Sequence, residues 1–371
     1  MKKILIGGSP CTFWSIAQHN NRETAATGQG WELFKNYLIA KEKFKPDFFL
    51  YENNESASKA IQNAISQELG VELLHINSAL VSAQVRKRIY AVNWECELPE
   101  DRKIYLKDIL ESAPLWQTTE TSDNSLRVGQ LDKGSQGDRV YSIDGKSVTL
   151  KANGGGWGAK GGLYAVPVGA GYRNRRESDG KLYRRFETSG IEKANALTTV
   201  QTDSMFALPL EFAKDHERAK PGQIFEVVNG EYELKGKKYK IKLNDGFYVI
   251  REPSIIEAER LQTMPDHYTK AASPGQARKA LGNGWTAEVI IHILREGLKN
   301  VSRDEEIIVL SMYDGIATGR YCLEKLGFKN IKYFAYEIDK NAMKIALDNF
   351  PDIIQMGDAF QVRNEKWNLE F

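Results

Sequence analysis

The chain has little of several things, and each shortage narrows what it can be. Its 371 residues hold three cysteines, Cys11, Cys96 and Cys322, an odd number set far apart. That spacing argues against a disulfide framework and a structural zinc site, and fits a reducing compartment. No apolar run approaches the ~20 residues of a membrane span. The apolar stretch after Met1-Lys2-Lys3 is too short for a signal peptide, so the sequence reads as cytoplasmic. An excess of charge is missing too: 51 Lys and Arg against 49 Asp and Glu leave a formal +2. So small a balance does not by itself imply nucleic acid, and any electrostatic argument rests on local clusters. No repeat period is present. What remains, 42% hydrophobic and 27% charged, is an ordinary globular composition, and the length suits one large domain with a smaller one.

The first 95 residues or so alternate strand-like runs with helical stretches. ILIGG precedes a helix expected over about 30–43, DFFLYEN a helix over about 56–69, and ELLHINSALV and RIYAVNW follow as strands. That is an α/β rhythm. From about Ser112 to Gly246 the texture turns to Gly, Ser, Thr, Asn and Asp with short strands, which reads as a separate loop-rich module. Helical periodicity returns in PSIIEAERLQTM (253–264) and TAEVIIHILREGL (286–298), and a charged connector, KNVSRDEE, leads to a fresh α/β unit over 307–371.

That last unit carries a ligand signal. The strand ending in Tyr313-Asp314-Gly315-Ile316-Ala317-Thr318-Gly319 opens a helix, so backbone can approach a ligand at the two glycines. Some ~20 residues on, Glu337 ends the next strand, where a carboxylate can accept from both hydroxyls of a ribose. A third strand ends in Gly357-Asp358. One Gly-rich turn is weak evidence, since packing turns look alike. Three successive strand ends of this kind are stronger, because open parallel sheets bind ligands there. Pro10-Cys11, just past the first strand, suits a small buried hydrophobe as well as a reactive thiol. Residues 173–185, RNRRESDGKLYRR, gather five arginines and a lysine beside Tyr172, Tyr183 and Phe186. Such a run is a solvated face or a phosphate-binding one.

Taken together, GGSPC, YEN (51–53), QVRKR (84–88), REPSIIEAERLQTMPDHY and GNGWT (282–286) resemble the motifs of the cytosine-C5 DNA methyltransferase family. DGIATG and GGSPC are most similar to the catalytic domains of de novo DNA methyltransferases and to bacterial and phage members. The order departs from the family's usual one: the cofactor motif comes last here, which resembles a circular permutation. The expected fold is an α/β, Rossmann-like methyltransferase domain with a mostly parallel sheet, joined to a smaller target-recognition domain. The corresponding spans are 1–110 for the catalytic half, 111–248 for the reader, and 249–371 for the remainder with the cofactor half.

The resemblance implies a role for each site residue. Cys11 would add to C6 of a flipped cytosine, Glu52 would bond N3 and the exocyclic amine, and Arg88 would hold O2 and brace Glu52. Arg86 would serve beside them as a phosphate or cofactor-side partner. For S-adenosyl-L-methionine (AdoMet), Tyr313 and Ile316 would pack the ligand, Glu337 would hold the ribose and Asp358 the adenine N6. Asn283 and Trp285 would close the methionine end, with Asp314, Gly315, Thr318, Gly319, Ile338, Ala359 and Pro10 completing the pocket. No metal is called for. Double-stranded DNA is the expected partner, met by Arg173, Arg175, Arg176, Arg184 and Arg185, and a monomer is expected. After Cys11, a loop containing Gln18, Asn20, Asn21 and Arg22 would close over the flipped base. Asn54 stands where the family usually has valine. An RNA cytosine-5 methyltransferase and an inactive DNA-binding scaffold of the same fold are the alternatives; intact Cys11, Glu52 and Arg88 argue against the second.

Overall fold

Ile4, Leu5 and Ile6 send side chains to both faces of one strand, a pattern suited to the interior of a parallel sheet covered on both sides. In a computed structural model all three are 0% exposed. It describes residues 1–15, 22–104 and 253–369, together with shorter stretches between 108 and 251, mostly strands. Two compact units emerge, one from 1–103 with 259–371, the other from 104–258.

The first unit is built on seven strands: Lys2–Gly7 (β1), Phe48–Asn54 (β2), Leu74–Asn77 (β3), Lys87–Val92 (β4), Ile307–Met312 (β5), Ile331–Tyr336 (β6) and Ile354–Gly357 (β7). Their order is β7-β6-β5-β1-β2-β4-β3. β1 runs parallel to both neighbours, with Lys2 opposite Ile307 and Ile4 opposite Phe48. β4 is antiparallel to β2 and to β3. The strand that leads into Asp314 therefore shares a sheet with the strand that leads into Cys11, and pairs with it directly.

Helices Gly28–Phe44 (α1), Lys59–Leu69 (α2), Ile255–Leu261 (α3), Pro274–Asn283 (α4), Ala287–Gly297 (α5), Thr318–Lys325 (α6) and Lys340–Asn349 (α7) occur where apolar spacing repeats at the helical period. α1 buries Trp31, Phe34, Tyr37 and Phe44, and these pack with Trp14, Tyr51 and Tyr336 into one aromatic-rich core. Local chemistry fixes the helix ends. The Ser58 hydroxyl accepts from the Ile61 amide at the start of α2, and Gly70, at φ 73°, ends it. Asp339 caps α7 by accepting from Asn341 and Ala342.

The second unit is mostly antiparallel β, with one parallel pair, Arg139–Ser142 beside Leu163–Ala165, in a smaller four-stranded sheet. Seven strands order as Leu182–Ile191, Val168–Arg176, Met205–Pro209, Gly246–Arg251, Ile224–Val228, Glu231–Leu234 and Lys237–Lys240. Asn229 and Gly230, at φ 54° and 69°, make the tight turn between Ile224–Val228 and Glu231–Leu234. The longest strands run 9 and 10 residues, more extended than the loop-rich texture of the sequence suggests. Among the described residues no helix is long and apolar enough to cross a membrane.

Candidate active site

Parallel strands bring their carboxyl ends to one edge of the sheet. β1, β2, β5, β6 and β7 therefore deliver the segments after Gly7, around Glu52, and at Asp314, Glu337 and Asp358 to a common edge. Antiparallel β4 brings its first residues there, with Arg88 opposite Asn54. A cleft of about 490 Å³ opens at that edge.

Its first wall carries the candidate nucleophile. A methyl group on Gly7 would lie 2.5 Å from the Met312 carbonyl oxygen, and one on Gly8 2.7 Å from that of Glu52, so both positions need glycine for close approach. Cys11 then opens a single 3₁₀ turn. Burial pushes its thiol above the usual range; Arg88 pulls it back, Glu52 raises it further and Arg86 lowers it. The Glu52 carboxylate is held from two sides: Oε1 sits 3.0 Å from Arg88 Nε, and Oε2 accepts from Trp285 Nε1 at 3.1 Å.

The residues flanking Glu52 had no expected role, and they anchor the loop before the cysteine. Asn53 Nδ2 donates to the Ser9 carbonyl at 3.0 Å and to the Tyr51 hydroxyl at 2.9 Å. The hydroxyls of Ser9 and Tyr51 are 2.7 Å apart. Asn54, at the family's valine position, accepts from the Ser56 amide at 3.0 Å and donates to Ser15 Oγ at 3.4 Å. It ties the strand end to the segment after Cys11.

Arg86 borders the cleft, and a cofactor-side part is one of its two expected roles. Its side chain is buried, and Nη2 donates to the carbonyls of Gly282 and Gly284 at 3.1 and 2.8 Å. Burial lowers its pKa to about 9. Bonded to two carbonyls here, the guanidinium braces the Gly-Asn-Gly-Trp loop that lines the cleft.

The other wall is built at the ends of β5, β6 and β7. Tyr313, Gly315 and Ala317 all have positive φ, 60°, 66° and 61°, a costly conformation for the two that are not glycine. Glu337 fixes this turn: Oε2 accepts from the Gly315 amide at 2.8 Å, while Oε1 accepts from Ile338 and Asp339 at 2.7 and 2.8 Å. The half-buried Asp314 lies in the same turn, its Oδ1 accepting from Ser311 and Tyr333 at 2.7 and 2.6 Å. Its Oδ2 has no partner, and burial raises its pKa to about 6. Asp358 caps the last turn through the Phe360 amide. Ile338, 70% exposed, and Phe360, 42% exposed, present apolar faces to the cleft.

Pro10, Asn283, Tyr313, Gly315, Ile316, Thr318 and Ala359 line the cleft as well. Gly319 does not: a methyl there would strike Ile6 and come within 2.9 Å of the Tyr333 hydroxyl, so this glycine serves helix-to-sheet packing. Of the loop residues expected to close over a base, Gln18, Asn20 and Asn21 lie outside the described residues. Arg22 is tied down, donating to the carbonyls of Trp14 and Ser56. In the second unit, register sets Arg173 opposite Arg185 and Arg175 opposite Tyr183, with Arg176 and Arg184 on the alternate positions. Among the described residues no three His, Cys, Asp or Glu are grouped to hold a metal.

Comparison with known proteins agrees with this geometry. Type II methyltransferase M.HhaI of Haemophilus parahaemolyticus is 27% identical over 197 residues, covering 44% of this chain and 59% of the relative. The chain thus spans less than two thirds of that protein's length. The profile of the C-5 cytosine-specific DNA methylases matches residues 1–299, most of the chain. The chain belongs to the C-5 cytosine-specific DNA methylase family.

Proposed function

We propose that the protein is a DNA (cytosine-5)-methyltransferase that acts through a covalent bond between Cys11 and C6 of a flipped cytosine. The observation that carries this reading is the meeting of Cys11, Glu52 and Arg88 in one cleft with the strand ends of Gly315, Glu337 and Asp358. Cytosine C5 is a poor nucleophile while the ring is aromatic. Addition of the Cys11 thiolate at C6 makes C5 electron-rich, and Glu52, bonded to N3 and the exocyclic amine, stabilises the ring as it takes up charge. Arg88 neutralises O2 and holds Glu52 in line. After methylation a general base removes the C5 proton, the electron pair of that C–H bond re-forms the C5–C6 double bond and expels the Cys11 sulfur, and the ring and the thiolate are restored.

The cleft fits AdoMet. An unpartnered, buried Asp314 Oδ2 suits a cationic ligand, the Glu337 carboxylate keeps one lone pair on Oε2 for a ribose hydroxyl, and Ile338 and Phe360 offer apolar contact to a base. When bound, AdoMet supplies the methyl group. Asn283 and Trp285 would close the methionine end; Trp285, bonded to Glu52, links the two halves of the site.

The unit over 104–258 is assigned as the target reader for duplex DNA, with Arg173, Arg175, Arg176, Arg184 and Arg185 on paired strands. The likeness to a Type II methyltransferase supports a modification role, as in restriction–modification systems. The order of motifs is read as a circular permutation. In support, the strand at 307–312 inserts beside β1 in parallel register, and the family match ends at residue 299, before the cofactor unit begins.

The test uses duplex DNA carrying 5-fluorocytosine at sites found by bisulfite sequencing of DNA from expressing cells. Fluorine cannot leave as a cation, so one methylation leaves the protein attached. A denaturation-resistant complex linked at Cys11, absent in Cys11→Ser, is expected. A link at Cys96 or Cys322 refutes the mechanism, and preferential trapping on RNA transfers the function to an RNA methyltransferase.

A further inference from the structure

We propose that Asn36 is a positioning residue for the cofactor, fixing from α1 two aromatic walls of the cleft, Tyr313 directly and Phe360 through Arg363. The inference rests on the AdoMet reading above. Asn36 is 0% exposed in the middle of a helix whose buried neighbours are Trp31, Phe34 and Tyr37. Asparagine is a poor helix former, and a buried amide is costly unless bonded. Both ends of this amide are bonded, and both partners lead to the cleft.

Nδ2 donates to the Tyr313 hydroxyl at 3.0 Å, and that hydroxyl donates to the Leu33 carbonyl at 2.8 Å. Oδ1 accepts from Arg363 Nε at 2.6 Å. Arg363 in turn donates through Nη2 to the Glu32 carbonyl and carboxylate at 2.8 and 3.0 Å. Its guanidinium lies 4.9 Å from the centre of the Phe360 ring. One side chain thus joins segments 277 and 327 residues distant in sequence.

The need for such a hub lies in the walls themselves. Tyr313 sits at φ 60°, where a bulky residue persists only if its surroundings over-determine it. Two hydrogen bonds to its hydroxyl supply that constraint. Phe360 is 42% exposed and borders the cleft, and the stacked guanidinium is its brace. Holding both rings in place before the ligand arrives removes an ordering cost from binding.

The experiment uses the full chain and the variants Asn36→Leu, Tyr313→Phe and their combination. Calorimetry measures S-adenosylhomocysteine and adenosine, and steady-state methylation of duplex DNA gives KM for AdoMet and kcat. Asn36→Leu should raise both Kd values and KM about tenfold, with kcat at saturation within twofold. Tyr313→Phe should raise Kd about threefold, and the double variant should fall short of the product, because both changes remove one bond. If Asn36→Leu lowers the urea midpoint and leaves both Kd values and KM within twofold, the residue only holds the fold and the proposal is overturned. Should Asn36→Leu fail to fold, an unchanged Kd in Tyr313→Phe overturns it equally. A wild-type chain that methylates DNA and binds S-adenosylhomocysteine, with unaltered variants, defeats this proposal alone. A wild-type chain that binds neither ligand defeats the cofactor reading and this proposal together.

Discussion

Replacing Arg88 by alanine probes the centre of the chemistry. Arg88 Nε lies 3.0 Å from Glu52 Oε1, and both side chains are only 13% exposed. A charge-assisted hydrogen bond in such a place is worth about 1.5–3 kcal/mol. Losing it also leaves Glu52 held from one side, by Trp285. At about 1.36 kcal/mol per tenfold, and with the added loss of a cation near cytosine O2, adduct formation should slow on the order of 10²–10³-fold. Arg88 is the strongest influence lowering the pKa of the half-buried Cys11 thiol. Its removal moves that pKa further up, so the rate–pH curve for trapping shifts to the alkaline side and the deficit narrows as pH rises. Lysine keeps the charge without the planar fork, and should recover only part of the rate. Single-turnover trapping on 5-fluorocytosine duplex across pH 6.5–9.5 measures all of this. A trapping rate for Arg88→Ala within threefold of wild type, with an unshifted pH curve, refutes the reasoning.

Gly8→Ala would bring a methyl within 2.7 Å of the Glu52 carbonyl and 3.0 Å of Oε2. Displacing that carboxylate should cost about tenfold or more in trapping rate, while calorimetric affinity for S-adenosylhomocysteine stays within twofold; unaffected trapping contradicts it. Asp314 has its pKa raised to about 6 from an ordinary 3.8, so its ionised form opposes folding above pH 6 and this penalty disappears as pH falls toward 4. Without cofactor, Asp314→Asn should be the more stable protein at pH 8, by on the order of 3 kcal/mol, and the gap in urea unfolding should close by pH 4; a gap independent of pH counts against it. Neutralising Arg173, Arg175 and Arg185 together should reduce the salt slope of DNA binding by up to ~2.7. An unchanged slope removes that face from the DNA interface.

Much of this site was legible because its chemistry is written in short, local motifs. Gly7 and Gly8 announce close backbone approach, and the strand ends at Asp314, Glu337 and Asp358 follow from apolar runs bounded by turn residues. Fold class followed likewise from alternating strands and helices, whereas the antiparallel sheet at 168–251 was masked by polar and glycine-rich composition. What stayed hidden depends on contacts across long stretches of sequence. Asn53 reads as one more turn residue until Ser9, 44 positions away, is placed beneath it. Arg86 and Arg88 alternate along one segment and look equivalent; only the loop at Gly282–Gly284 separates a brace from a reactive partner. Asn36 gives no signal at all, since a lone amide on a helix is ordinarily solvated.

The pairing of β1 with Ile307–Met312 also governs how the protein is made. Lys2 meets Ile307 only after some 300 intervening residues have been synthesised, which at 5–20 residues per second takes roughly 15–60 s. Through that interval β1, with its apolar Ile4-Leu5-Ile6 run, has an unpaired edge at the middle of the future sheet. Open apolar edges recruit other strands, and the second unit emerges in full before the first can close. Nascent chains therefore hold an open half-sheet through that interval; a refolding chain, complete from the start, must still close a loop of some 300 residues to make the same pairing, so recovery from denaturant should be slow and should fall as protein concentration rises.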